Sequence, residues 1–207
     1  RFQTTSDLDG HTIGNLLLTA LINISGNMSD GIKTIEKVLK LKGKVLPLTE
    51  DSPTLIADMK DGSFIKGEHH ITESMKEIQK VYYEKKPSVN PEVIKEIKKA
   101  DLIILSMGSL YTSIIPNLLI PEVVSAIDES KAKIMYICNM MTQPGETDHF
   151  KVTDHIHIIN EYLGNKKIGV VVANKGIISK NILKKYETLE QKEQVILDRK
   201  NLKNVKL

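Results

Sequence analysis

The stretch "ADLIILSMGSLYTSIIPN", residues 100–117, decides how this chain is read. Four apolar residues, Leu102, Ile103, Ile104 and Leu105, run into Gly108, Ser109, Tyr111, Thr112 and Ser113, after which an apolar helical pattern begins near Ile114. A short apolar run bounded in this way reads as a buried strand. Two more such runs follow, near residues 134–139 and 168–174, with helical patterns between them. Asn90 caps and Pro91 opens a helix just before the first. Apolar strands alternating with helices predict an α/β fold: a doubly wound, mostly parallel, Rossmann-like sheet in three layers.

Ligands of such sheets bind at the carboxyl ends of the strands, where loops lead into helices. The two most polar loops of the chain fall there. In the first, Gly108 permits close backbone approach, and Ser109, Thr112 and Ser113 set hydroxyls beside the N–H groups that open a helix. A phosphate or pyrophosphate suits that arrangement. The plainer alternative is an N-capping Ser/Thr turn, which needs only one hydroxyl. The loop is neither a Walker loop nor a dinucleotide glycine fingerprint. In the second loop, "NMMTQPGET" at residues 139–147, Asn139, Thr142, Gln143, Glu146 and Thr147 offer donors, acceptors and one carboxylate around a Pro144-Gly145 turn. Such a loop suits sugar hydroxyls or a base edge, or else is a polar surface loop.

Upstream, "HTIGNLLLTALINIS" reads as a largely buried helix. Gly14 and Asn15 in its first turn are poor helix formers, costing on the order of 1 kcal/mol, so that helix end has either a ligand contact or a packing glycine. "SDGIKTIEKVLKLKG" reads as an amphipathic helix with Ser29 as N-cap and Gly43 as terminator. "KVLPLT" reads as a short strand, and Asp61-Gly62 between alternating segments as a hairpin. Together they predict a small β excursion over residues 44–71, with His69 and His70 exposed.

The chain has 207 residues, 41% of them hydrophobic, and 29 Lys+Arg against 26 Asp+Glu, a net charge of +3. The lysines are scattered on helical faces, which describes a solvated surface and not a nucleic-acid footprint. Cys138 is the single cysteine, so neither a disulfide within the chain nor a multi-cysteine metal site can form; a buried, inert thiol is expected. No apolar stretch approaches the ~20 residues of a membrane span and no signal-peptide pattern opens the chain, so a soluble cytoplasmic protein is expected. In "TDHIH", His155 and His157 stand two apart and diverge on a helix, which argues against a metal pair. Asp154 and His155 are candidates for acid–base work; a helix-surface histidine is the alternative.

The strings "GHTIGNLLL", "ADLIILSMGSLYTSIIPNLLIPEV", "NMMTQPGETDHFKVTDHI" and, more loosely, "NILKKYE" together resemble the gluconeogenesis-factor (YvcK-type) family, within the CofD-like superfamily of 2-phospho-lactate transferases. The resemblance spans nearly the whole chain. It implies a cytoplasmic bacterial protein with one nucleotide-binding domain over residues 1–207, taking a UDP-sugar such as UDP-N-acetylglucosamine. It also implies a role in gluconeogenic growth and in cell shape and envelope synthesis, with no firm reaction. On it, Gly108, Ser109, Tyr111, Thr112 and Ser113 are expected to hold phosphates. Asn139, Thr142, Gln143, Gly145, Glu146 and Thr147 are expected around the sugar, and Gly14 and Asn15 at a ligand contact. Tyr186 in "NILKKYE" either stacks on the uracil or packs on the core.

The transferase branch implies the alternative: transfer of a phospho-lactyl unit from a nucleotide-activated donor to a deazaflavin precursor, with Asp154 and His155 as acid–base residues and Mg2+ on the phosphates. Two departures bear on the pocket. Ser106-Met107 stands where the family usually has Gly-Pro. The family's first strand with its Gly-Gly-Thr-Gly loop, and a short terminal segment that usually carries an Arg, have no counterpart in the 207 residues, so part of the nucleotide pocket is expected here. No resident metal, nucleic acid or membrane span is implied; a regulatory protein partner and a homo-oligomer are compatible with the resemblance.

Overall fold

A computed structural model describes residues 9–203 and 205–207. The chain divides into two compact units, one running to Ser52 and including Ser88–Val93, the other formed by Pro53–Pro87 with Ile94–Leu207.

The first unit holds helices α1 (Ile13–Ser25) and α2 (Met28–Leu39). Thr12 caps α1 by accepting the Asn15 N–H at 3.2 Å, and Gly26 ends it. The helix lies where the apolar pattern predicts, but none of its residues is buried, and Ile13 and Ile24 are 68% and 81% exposed. It carries no charge, so its pattern is apolar all round and names no single covered face. Asn27, not Ser29, caps α2, accepting the Asp30 N–H at 2.8 Å. Ser29 instead gives its N–H and hydroxyl to the Glu50 carboxylate. Lys40, in the left-handed conformation at φ 51°, ends α2 ahead of Gly43. Residues 44–49 form no strand: Pro47 has no N–H to give a ladder, and the segment is held by Asn90, whose N–H donates to the Leu48 carbonyl at 2.9 Å.

In the second unit, β1 (Leu55–Met59), β2 (Phe64–Lys66) and β3 (Ile78–Tyr83) form an antiparallel sheet in the order β2-β1-β3, with α3 (Glu68–Ser74) between its last two strands. The Asp61-Gly62 turn joins β1 to β2 as its sequence predicts, Asp61 accepting the Ser63 N–H at 2.9 Å. The third strand lies beyond the 44–71 range and makes β1 central, which buries Leu55, Ile56, Ala57 and Met59 alike.

Helix α4 (Pro91–Lys99), capped by Asn90, leads to β4 (Leu102–Leu105). A π-helical turn (Leu110–Ile114), α5 (Ile115–Leu118) and α6 (Pro121–Glu129) cross to β5 (Lys133–Ile137). Helix α7 (Val152–Tyr162) crosses to β6 (Val170–Val172), and α8 (Lys180–Glu190) and a 3-10 turn (Arg199–Asn201) follow. The sheet β4-β5-β6 is parallel throughout, with Leu102 opposite Lys133 and Tyr136 opposite Val171. The α/β reading therefore stands, with its parallel sheet and its small antiparallel companion. The core gathers Ile134 and Tyr136 of β5, Val171 of β6, and Ile115, Ile120, Ile127 and Ile159 of the crossovers. Among the described residues no single helix is long and apolar enough to cross a membrane.

Candidate functional site

At the end of β4 the chain enters a turn wider than an α-helix. The N–H groups of Ser113 and Ile114 both donate to the Ser109 carbonyl at 3.0 Å, and the Ile115 N–H reaches back to Leu110. Such π-turns are tolerated where the widening sets a side chain or N–H in a needed place. Gly108 makes the entry feasible: a Cβ there would lie 3.0 Å from the Ser113 Cβ. Ser109 caps the turn, its Oγ accepting the Thr112 N–H at 3.3 Å.

In the structure the donors of this loop meet a carboxylate of the chain itself. The Glu146 carboxylate, from the loop after β5, is 5% exposed. It accepts the Ser109 hydroxyl at 2.5 and 2.7 Å, the Tyr111 N–H at 3.0 Å and the Thr112 hydroxyl at 3.4 Å. From its own loop, Gln143 Nε2 donates to it at 2.7 Å. Burial pushes the Glu146 carboxyl above the ordinary carboxylate range, against the pull of its bonds from Ser109, Tyr111 and Thr112. Ser113, by contrast, is exposed.

The rest of the β5 loop is built around this contact. Asn139 Nδ2 donates to the Gly108 carbonyl at 3.0 Å, a further tie between the loops, while its buried Oδ1 has no partner. Thr142 is bound to the C-terminal segment, its N–H donating to the Glu193 carbonyl at 2.7 Å and its Oγ1 accepting the Glu193 N–H at 2.8 Å. Thr147 Oγ1 accepts the Gln143 N–H at 2.9 Å. Gly145, at φ 79°, presses on the turn after α3: a Cβ there would fall 2.6 Å from the Met75 carbonyl carbon. Its carbonyl accepts the Ile78 N–H at 3.1 Å, which pins the loop to the antiparallel sheet.

Beside Glu146 lies a cavity of about 230 Å3, bounded by Tyr111, Gly145, Asp148 and Phe150 from the loops and by Lys60 and Gln79 from the antiparallel sheet. Burial raises the Tyr111 phenol to about 12, so it stays a neutral hydrogen-bonding group. Asp148 accepts the Gly145 N–H at 2.7 Å. With Glu146 and Asp148 both engaged by the loops, the third lining carboxylate, Glu77, paired with Lys60 at 2.7 Å, and no cluster of three His, Cys, Asp or Glu placed to hold a metal ion among the described residues, the donor set does not fit a resident Mg2+.

The other expected residues lie apart from this contact. Asp154 caps α7, accepting the Lys151 N–H at 2.7 Å. His155, 1% exposed, is packed between the Tyr136 and Phe150 rings, with Nδ1 bonded to the Lys151 carbonyl at 3.0 Å, so it is a core histidine and not a surface one. Burial lowers its pKa. His157 is exposed and faces Glu161. Tyr186 sits on α8, 37% exposed. Gly14 and Asn15 belong to the first unit, where a Cβ on Gly14 would meet nothing within 4 Å. Sequence reasoning passes over Lys60, Gln79, Lys175 and Arg199. Lys175 is within reach of the same strand-end rule, three residues after β6.

The family described as 2-phospho-L-lactate transferase CofD matches residues 1–207. The chain is 42% identical over 204 residues to a protein named Gluconeogenesis factor from Bacillus subtilis, covering 98% of this chain and 64% of that one. It is 44% identical over 184 residues to another of that name from Listeria monocytogenes, covering 88% and 57%. A crystal structure of a Bacillus halodurans protein superposes with a TM-score of 0.92 at 39% identity, over 100% of this chain and 67% of that one. The chain thus spans less than two thirds of the curated relatives it matches.

Proposed function

Because the chain belongs to the family described as 2-phospho-L-lactate transferase CofD, we propose that it binds a UDP-sugar, UDP-N-acetylglucosamine in kind, and acts as a regulator of gluconeogenic growth and of cell shape and envelope synthesis. The relatives named Gluconeogenesis factor support the gluconeogenic part of this reading. The observation that carries the binding half is the Glu146 contact. It joins the loops at the ends of two neighbouring parallel strands into one polar surface, at the place where open α/β sheets take ligands. A ligand touching either loop acts on both. If it prefers one arrangement of the pair, it shifts the population and so the surface offered to a partner protein.

Isothermal titration of the full-length protein with UDP-N-acetylglucosamine, with guanosine diphosphate as comparison and Mg2+ present, tests this. Saturable binding of the UDP-sugar alone supports the regulator; silence toward it removes the proposal. The family description favours a different reading, a transferase using a nucleotide-activated hydroxy acid. Preference for the guanine nucleotide, together with product formed from such a donor, would select it. For that chemistry Tyr111 and Glu146 are better placed than Asp154 and His155, since they line the cavity.

A further inference from the structure

The end of β6 is built on other lines. Asn174 Oδ1 accepts the Gly176 N–H at 2.9 Å and its Nδ2 donates to the Gly176 carbonyl at 3.2 Å, which closes the loop on itself. Gln194 Nε2 donates to the same carbonyl at 3.3 Å and fixes the loop to the C-terminal segment. Between loop and segment opens a cavity of about 580 Å3, whose walls carry Lys175 and Arg199, the amides of Asn174 and Gln194, and the side chains of Ile177 and Ile196. Among the described residues no carboxylate lines it.

Neither cation has an ion pair among the described residues. The nearest acid in sequence to Arg199 is Asp198, and it is engaged elsewhere: it accepts the Thr153 N–H at 3.2 Å, the Thr153 hydroxyl, and Asn201 Nδ2 at 3.0 Å. Ile177 and Ile196, in the same walls, are 99% and 61% exposed. Two like charges facing one concavity without a counterion raise its affinity for anions, and exposed apolar side chains beside them favour a ligand with an apolar face. At the end of β4 the corresponding donors are already filled by Glu146.

We infer that the cavity at the carboxyl end of β6 is the anion seat of this protein, with Lys175 and Arg199 holding the diphosphate of a nucleotide ligand and Ile177 and Ile196 covering an apolar face beside it. The anion seat stands on the residues named here; that the diphosphate belongs to a UDP-sugar rests on the function proposed above. Charge-assisted bonds from Arg to phosphate are the stronger kind, and Arg can supply two in parallel.

The test is titration of the full-length protein with UDP-N-acetylglucosamine and, separately, with inorganic diphosphate, for wild type and for the double variant Lys175→Gln/Arg199→Gln, with folding checked by thermal melting. Both probes are expected to bind wild type and to bind the double variant at least roughly tenfold more weakly. The variant Lys175→Arg/Arg199→Lys, which keeps both charges, is expected to recover most of the diphosphate affinity. If wild type binds diphosphate but not the UDP-sugar, the anion seat stands and the UDP-sugar reading falls. If wild type and double variant bind the UDP-sugar equally, the seat is overturned and the UDP-sugar reading stands. No binding of either probe to wild type overturns the seat.

Discussion

At the end of β4, Ser109, Tyr111, Thr112 and Gln143 converge on a carboxylate that the chain supplies; at the end of β6, Lys175 and Arg199 face a cavity lined by none among the described residues. The β4 loop has more of the sequence character of an anion site, with its glycine and three hydroxyls, yet its donors are satisfied from within. The β6 loop is ordinary in sequence and is left with unneutralised charge. A donor-rich loop after a strand is therefore evidence for an anion but not for a foreign one. The absence of an internal counterion is the better sign of a ligand.

The comparison breaks most readily at Glu146. Replacing it by Ala leaves the buried Tyr111 N–H and Gln143 Nε2 without this acceptor, while the Ser109 and Thr112 hydroxyls keep only each other at 2.6 Å, and a loss of about 3 kcal/mol is expected. Urea unfolding measures it, and a loss under about 1 kcal/mol would mean that the Glu146 contact is incidental. Gly145→Ala comes next. A left-handed residue with its new Cβ against the Met75 backbone should cost about 2 kcal/mol, read as a lower denaturation midpoint.

Acidity sharpens the same contrast. The folded Glu146 carboxyl titrates above its ordinary value because it is buried, so the native state takes up this proton before the unfolded state does. Its contribution to stability is full below the unfolded carboxyl's range and is lost as pH rises through the folded pKa. Measured against Glu146→Gln, which has no such proton, wild type should gain in relative melting temperature as pH falls from neutral toward the ordinary carboxylate range. A flat difference would contradict the assignment. Gly14→Ala, with open space around its Cβ, should stabilise the first unit by up to about 1 kcal/mol by calorimetry. Smallest of all, Lys175→Gln or Arg199→Gln should change stability by less than about 0.5 kcal/mol, since neither side chain holds the fold together.

What is legible in the sequence is local. Leu102 to Leu105 can be read as β4 because an apolar run between polar punctuation has few other uses, and Asp61-Gly62 marks its hairpin by chemistry confined to the turn. The exposure of α1 escapes the sequence because a helix without charge shows no covered face. Residues 44–49 read as a short apolar strand, and the missing N–H of Pro47 works against a ladder there. The site is legible as two loops but not as one contact. That donors gather around Ser109 follows from the loop; that Glu146 meets them depends on the register of β4 beside β5, which no window of sequence contains. Arg199 comes to line the same cavity as Lys175 for the same kind of reason: the C-terminal segment returns along the sheet through the bridges Met141 to Gln194 and Lys151 to Ile196.

The bond from the Ile78 N–H to the Gly145 carbonyl has a kinetic side. Ile78 is buried at the start of β3, so its amide proton is shielded from solvent only while the Gly145 carbonyl stays in place. Exchange of that single proton for deuterium counts the openings of the β5 loop, with the Tyr82 amide, opposite Ile56 of β1, as an internal clock for the sheet itself. A ligand that stiffens the paired loops will slow the exchange at Ile78 and leave that at Tyr82 alone.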